Sequence, residues 1–99
     1  FAERESLVGV VVIMDIRHPA KELDQQMLEY AAARGLPVLA LLTKADKLGF
    51  GKIKQTVARL EREHPLPNGQ WMAFSGTKHT NVREARQVIA GWLTDADRA

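Results

Sequence analysis

Two short polar motifs in this 99-residue chain each follow an apolar run and could together bind a purine base. They are Thr43-Lys44-Ala45-Asp46 and, about thirty residues later, Phe74-Ser75-Gly76-Thr77-Lys78. The Asp46 carboxylate could accept hydrogen bonds from the N1–H and N2–H₂ groups of guanine, a charge-assisted bidentate contact for which adenine lacks the donors. The lysine stem of the first motif could cover one face of the ring, and backbone N–H groups near Gly76 and Thr77 could donate to O6. These residue types predict a site that selects guanine.

The apolar pattern places both motifs at the ends of buried strands. Continuous apolar runs are typical of strands in a parallel sheet, and apolar spacings of three and four are typical of amphipathic helices. Their alternation predicts a three-layer α/β domain with right-handed crossovers, whose ligands bind beyond the carboxyl ends of the strands. The predicted strands are Leu7–Met14, Pro37–Leu42 and Trp71–Phe74, and the predicted helices are Lys21–Arg34, with Gly35 as its stop, Gly51–Glu63 and Val82–Leu93.

Size and composition limit the chain to a single domain over residues 1–99. Its apolar fraction of 45% and charged fraction of 26% are typical of soluble globular proteins, and its net charge of +2 does not by itself predict nucleic-acid binding. It contains no cysteine, and its longest apolar run is far shorter than the ~20 residues that span a bilayer. We therefore expect a cytoplasmic location and no membrane partner.

Each motif also has a plain structural explanation. Asp46 could simply cap the turn after its strand, and the second motif could be a loop that leads to Asn81 as the N-cap of the last helix. The Gly-Lys pair at 51–52 is not a P-loop, because Asp46 and Ile53 occupy positions where that motif needs Gly and Ser or Thr. The three histidines lack ligand-like spacing, so no metal site is predicted within the chain.

A third segment, Asp15-Ile16-Arg17-His18-Pro19, is the most discriminating feature of the chain. Asp15 ends an apolar run as the Mg²⁺-contacting Asp of GTPases does, but without a P-loop we expect it to orient the Arg17-His18 loop. Together with Leu23–Met27 and Leu41–Leu48, this segment is similar to the EngB (YihA/YsxC) family of bacterial GTPases. Other small GTPases share the Thr/Asn-Lys-x-Asp motif but not this loop. The resemblance covers nearly the whole chain, including its lead-in at residues 4–7.

The resemblance implies that the whole protein binds GTP and GDP with Mg²⁺ and hydrolyses GTP slowly. It also implies a role in assembly of the large ribosomal subunit, with that subunit or its RNA as partner, and in cell division and septation. Carried over to this chain, the guanine-binding residues are Thr43, Lys44, Ala45, Asp46, Phe74, Ser75, Gly76 and Thr77.

One position departs from the family pattern. The family usually has Ser where this chain has Gly76, so we expect that a hydroxyl bracing the Asp46 carboxylate is absent. The expected loss of affinity is about 1 kcal/mol, the typical net worth of one hydrogen bond. Thr77 could partly compensate for it.

The elements that bind phosphate are missing from these 99 residues. The family carries its P-loop, Mg²⁺-coordinating Ser/Thr, switch segments and Asp-x-x-Gly element upstream of the residue that matches Phe1. We therefore expect the C-terminal half of a P-loop GTPase fold that has no catalytic residues and does not hydrolyse GTP, because hydrolysis needs Mg²⁺ and a phosphate cradle. The Leu7–Met14 strand would then have an open edge that favours self-association.

Two other classes of protein stay open on sequence grounds. The chain could be a self-sufficient α/β interaction module that binds no nucleotide and in which the Thr43–Asp46 loop only stabilises a turn. It could also be a small flavodoxin-like enzyme or a receiver-like domain, although neither an acidic pocket nor a nucleophile is evident.

Overall fold

The described part of the chain forms one parallel sheet with helices on both faces. The computed structural model describes residues 8–76, 78 and 80–98. The elements are β1 (Val10–Asp15), α1 (Glu22–Ala33), β2 (Val38–Thr43), a 3₁₀ turn (Ala45–Lys47), α2 (Phe50–Glu63), β3 (Gly69–Ala73) and α3 (Val82–Arg98). The strands lie in the order β1-β2-β3, and both neighbouring pairs are parallel. The predicted parallel α/β fold is confirmed.

Two hydrophobic layers hold the helices against the sheet. Buried side chains of α1 and α2, among them Leu28 and Leu60, pack with Ala40 and its neighbours on one face. On the opposite face, Leu39 and Leu41 of β2 pack with the apolar side of α3. The domain therefore has the three layers that the sequence pattern predicts.

The three strands differ in how fully they are covered. β2 is buried on both faces over its apolar length, which explains its uninterrupted run of aliphatic residues. In β1, Val10, Val12 and Met14 are buried, whereas Val11 is 36% and Ile13 65% exposed. Continuous apolar runs are typical of strands buried on both faces, but within the described residues the α3 layer does not cover Val11 and Ile13. Self-association through this strand stays a prediction, and its exposed apolar face favours it.

Most element boundaries lie close to the predicted ones. Gly35 ends α1 as predicted: its φ is +66°, and the amide of Leu36 donates to the carbonyl of Ala31 at 3.0 Å, as in a Schellman motif. β3 begins at Gly69 rather than Trp71, because Gly69 pairs in register with Val38. The last helix continues to residue 98, beyond its predicted end at 93. The predicted start of the first strand at residue 7 lies outside the described residues.

Residue 9, which directly precedes β1, has no room for a side chain. The indole ring of Trp92 packs so closely over Gly9 that a Cβ built there would overlap the ring. This contact lets α3 approach the beginning of β1, although it leaves Val11 and Ile13 partly uncovered. Glycine is required at this position for packing rather than for an unusual backbone angle.

We expect Gly9→Ala to lower the free energy of unfolding by about 1–3 kcal/mol, the usual cost of overpacking a core contact. Gly91→Ala is the matched control, since a Cβ at residue 91 has no neighbour within 4 Å. That change should be neutral or stabilise α3 by up to about 1 kcal/mol, because Ala has the higher helix propensity. Urea unfolding of both variants measures the difference, and equal midpoints would contradict the packing of Trp92 over residue 9.

Candidate functional site

Polar residues after all three strands meet at one edge of the sheet. The register aligns Asp15 at the end of β1 with Thr43 at the end of β2. Beyond β3, the backbone of Phe74 bonds to the residue before the first motif and to one residue within it: its amide donates to Leu42 at 2.8 Å and its carbonyl accepts from Ala45 at 3.1 Å. The structure thus brings together the two motifs, which the sequence separates by about thirty residues.

Asp46 is held by a hydrogen bond from a buried serine. Ser75 is 1% exposed, and its Oγ donates to Asp46 Oδ1 at 2.9 Å. The same Oγ accepts from the backbone amide of Lys78 at 3.1 Å, and a two-way backbone bridge to Thr80 fixes the position of Ser75. This hydrogen bond lowers the pKa of Asp46, because it favours the ionised form of the carboxylate.

The expectation that a hydroxyl brace is missing is therefore wrong. Ser75 supplies it, one residue before the position at which the family pattern suggests a serine. Gly76 is exposed, and a Cβ there would meet nothing within 4 Å. The packing at this position therefore does not require a residue as small as glycine. Thr77 lies outside the described residues, so the expected contributions of its backbone and hydroxyl stay predictions.

In the first motif, Thr43 and Ala45 contribute to the fold, whereas Lys44 and Asp46 carry the charged groups. Thr43 Oγ1 donates to the carbonyl of Met14 at 3.1 Å, which ties the end of β2 to β1. Lys44 adopts a left-handed conformation (φ 60°, ψ 33°) that turns the chain into the 3₁₀ turn, and the side chain of Ala45 is buried. Of the four residues, Lys44 and Asp46 are the two that place charged groups at the edge of the sheet.

The loop after β1 is organised by the Asp15 carboxylate, as predicted. It accepts hydrogen bonds from the backbone amide of Arg17 at 2.8 Å, from Nε at 3.1 Å and from the terminal guanidinium nitrogen at 2.9 Å. These bonds hold the pKa of Asp15 well below its usual range and raise that of Arg17. His18 is exposed, and its backbone amide donates to the carbonyl of Asp15; Pro19 is partly buried.

Two contacts at this edge were not foreseen from the sequence. Asp15 Oδ2 lies 3.7 Å from Lys44 Nζ, so the loops after β1 and β2 share an ion pair. Asn81 directly precedes α3, but its φ is +58° and its side-chain amide donates to the carbonyl of Ala73 at 2.7 Å. Its predicted capping role is therefore replaced by a bond that anchors the end of β3.

The described residues contain neither a cluster of metal-ligating side chains nor a membrane-spanning helix. Within them, no group of three or more His, Cys, Asp or Glu side chains is arranged to hold a metal ion. None of the helices in the described part of the chain is both long and apolar enough to cross a membrane.

Comparison with solved structures identifies the class of fold. Translation elongation factor SelB from Methanococcus maripaludis, in complex with the GTP analogue GppNHp, matches 89% of this chain with a TM-score of 0.75 and 20% sequence identity. Its apo form matches 92% of the chain with a TM-score of 0.67. Each match covers 20% of the SelB chain. The chain therefore shares the fold of this part of SelB.

Comparison of sequences identifies the family that it resembles. The chain is 51% identical over 96 residues to the probable GTP-binding protein EngB of Stenotrophomonas maltophilia, a match that covers 94% of this chain and 48% of that protein. For the probable EngB of Xanthomonas oryzae pv. oryzae, the identity is 49% and the match covers 46% of that protein. No family model matches the chain. The resemblance to EngB proteins is confirmed, and the chain spans about half the length of these relatives.

We expect Ser75→Ala to raise the pKa of Asp46 toward its ordinary value, because the variant loses the hydrogen bond that favours the ionised form. A carbon-detected NMR titration of the Asp46 carboxyl group measures this pKa. Thr43→Val is the matched control: it removes a hydroxyl from the same edge that bonds to Met14 instead. An Asp46 pKa that is equal in wild type and Ser75→Ala would contradict the role of this hydrogen bond.

The same variant should change how stability depends on pH. A folded-state pKa below the unfolded value contributes stability above the unfolded pKa, and that contribution is lost as the pH falls through the folded pKa. With the Asp46 pKa closer to its unfolded value, Ser75→Ala should lose less stability on acidification than wild type does.

Proposed function

We propose that this chain provides the guanine-recognition part of an EngB-type GTP-binding protein. The observation that carries the proposal is the ionised Asp46 carboxylate, held by the buried Ser75 hydroxyl where β2 and β3 end. In this proposal Asp46 accepts from N1–H and N2–H₂, and the Lys44 stem covers one ring face. The loop that contains Ser75 and Gly76 lies beside the base near O6.

The hydrogen bond to Ser75 supports this role because it fixes the carboxylate and still leaves it able to accept further hydrogen bonds. An ionised carboxylate has about four lone-pair sites, so one bond from a hydroxyl leaves enough acceptor capacity for two further donors. Adenine offers an acceptor at N1 and no amino group at position 2. Its binding would leave the carboxylate desolvated and unpaired, a cost that exceeds the loss of one ordinary hydrogen bond.

The phosphates and Mg²⁺ are assigned to a different part of the protein. The described residues present no cluster of metal-ligating side chains, and the sequence has no P-loop to cradle phosphate. Because the chain spans about half the length of its EngB relatives, we propose that it forms the C-terminal half of the GTPase domain. The remaining half would then bind phosphates and Mg²⁺ and carry out GTP hydrolysis.

The proposal for the whole protein is a cytoplasmic GTPase that acts in assembly of the large ribosomal subunit and in cell division. It rests on the sequence resemblance, which extends over 94% of this chain. The alternative is a protein-interaction module without nucleotide binding, favoured by the exposed apolar side chains of Val11 and Ile13. In that case the bond between Ser75 and Asp46 would serve only to fix a loop, and changes at Asp46 would leave nucleotide affinity unaffected.

We expect Asp46→Asn to weaken GDP binding at least about tenfold and to favour xanthosine diphosphate, since the amide can donate to the carbonyl oxygen at position 2 of xanthine. Calorimetric titration of the protein expressed from its complete reading frame measures both affinities. Glu61→Gln is the matched control, because it neutralises an exposed carboxylate on α2. Equal GDP affinity in wild type and Asp46→Asn would rule out base recognition by this carboxylate.

We expect the 99 residues alone to release no phosphate from GTP above background and to bind guanosine at best at millimolar concentrations. The physical reason is that the two loops contact only a base and part of a ribose. A phosphate-release assay with and without Mg²⁺ measures the activity, with the protein from the complete reading frame as positive control. Mg²⁺-dependent phosphate release by the 99 residues alone would show that the phosphate site lies within them.

A further inference from the structure

The proposed selection of guanine by Asp46 does not use the ion pair between the loops after β1 and β2. Asp15 Oδ2 lies 3.7 Å from the ammonium of Lys44, the residue whose stem is proposed to cover the base. The sheet register creates this proximity, because Asp15 pairs with Thr43 and Lys44 is the next residue. The contact therefore depends on the pairing of the strands as well as on local sequence.

The Asp15 carboxylate is itself fixed in orientation. Arg17 donates to both of its oxygens through the guanidinium fork and adds a backbone N–H bond to Oδ1. Bidentate contacts of this kind fix the plane of a carboxylate, which a single ammonium contact does not. Arg17 thus holds one oxygen of Asp15 toward Lys44.

Lys44 is the residue that benefits most from such restraint. Its side chain is 58% exposed, so little packing limits the path of its stem. A lysine stem has several rotatable bonds, and ordering it on binding reduces affinity. An ion pair formed before the ligand arrives removes part of that loss.

We propose that Asp15, oriented by Arg17, is a positioning residue that holds the Lys44 stem where the base binds. This inference rests on the proposed function and deepens it by separating two properties of one site. Asp46 selects guanine through its donors, whereas the pair of Asp15 and Lys44 contributes affinity to any purine that fits. Loss of Asp15 therefore lowers affinity without changing the preference between purines.

A double-mutant cycle tests this directly, with affinities for GDP and inosine diphosphate measured by calorimetry on the protein from its complete reading frame. Asp15→Asn should weaken both ligands equally, by about two- to fivefold, the range typical of an exposed ion pair. In a Lys44→Met background, Asp15→Asn should cause no further loss, because its effect passes through Lys44. Lys44→Arg keeps the positive charge and should restore the sensitivity to Asp15→Asn.

Two further variants keep the test decisive. Lys52→Met removes an exposed positive charge from α2 and should leave GDP affinity unchanged, which separates positioning from general attraction of phosphate. Arg17→Leu leaves Asp15 and Lys44 in place but removes the fork. It should weaken GDP binding in wild type and have no effect in the Lys44→Met background, even if Asp15→Asn proves unstable.

The outcomes distinguish this inference from the proposed function. If wild type fails to bind GDP, the proposed function is wrong and the inference falls with it. If wild type binds GDP and Asp15→Asn binds it equally well, the inference is overturned while guanine recognition stands. An equal loss in the wild-type and Lys44→Met backgrounds, or a loss for one purine only, also overturns it.

Discussion

The pairing of β2 with a parallel strand on each side is the constraint on which the rest of the structure depends. Leu39, Ala40 and Leu42 are 0% exposed, since α1 and α2 cover one face of this strand and α3 the other. A strand buried in this way resists slipping, because a shift of one residue would move each side chain into the opposite core layer, which is closely packed around a different shape. The position of its carboxyl end, and with it the Thr43–Asp46 motif, is therefore fixed by the core.

The core also fixes the positions of the polar residues that follow the strands. Residues that follow β2 meet the ends of β1 and β3 on either side, so one short segment forms hydrogen bonds with both neighbours. Thr43 bonds to β1 through Met14, and Asp46 is bonded by Ser75 beyond β3. Ser75 is buried and forms hydrogen bonds through three of its atoms, so its side chain has little freedom to move. It therefore holds the Asp46 carboxylate in one orientation. A rigid acceptor of this kind is suited to distinguishing ligands by their donors.

The order of elements and the convergence of the motifs could be predicted because both follow from periodicity and from the geometry of parallel sheets. The stop at Gly35 was equally predictable, since a positive φ is what glycine accommodates best. The exposed face of β1 does not follow from its own apolar run, because such a run does not reveal which neighbours cover it. Likewise, sequence shows a hydroxyl in the second motif but not that the backbone bridge to Thr80 directs Ser75 at Asp46.

The site residues differ in how well the fold supports them, and this difference matches their proposed roles. Asp46 follows the best-supported strand and is bonded by a buried group. Asp15 follows β1, which within the described residues has a hydrogen-bonded neighbour on one side only, and its ion pair with Lys44 is partly exposed. An exposed pair contributes little and is screened by salt, so it suits adjustment of affinity. Discrimination between bases needs an acceptor that does not move, and Asp46, unlike Asp15, follows a strand that is packed on both faces.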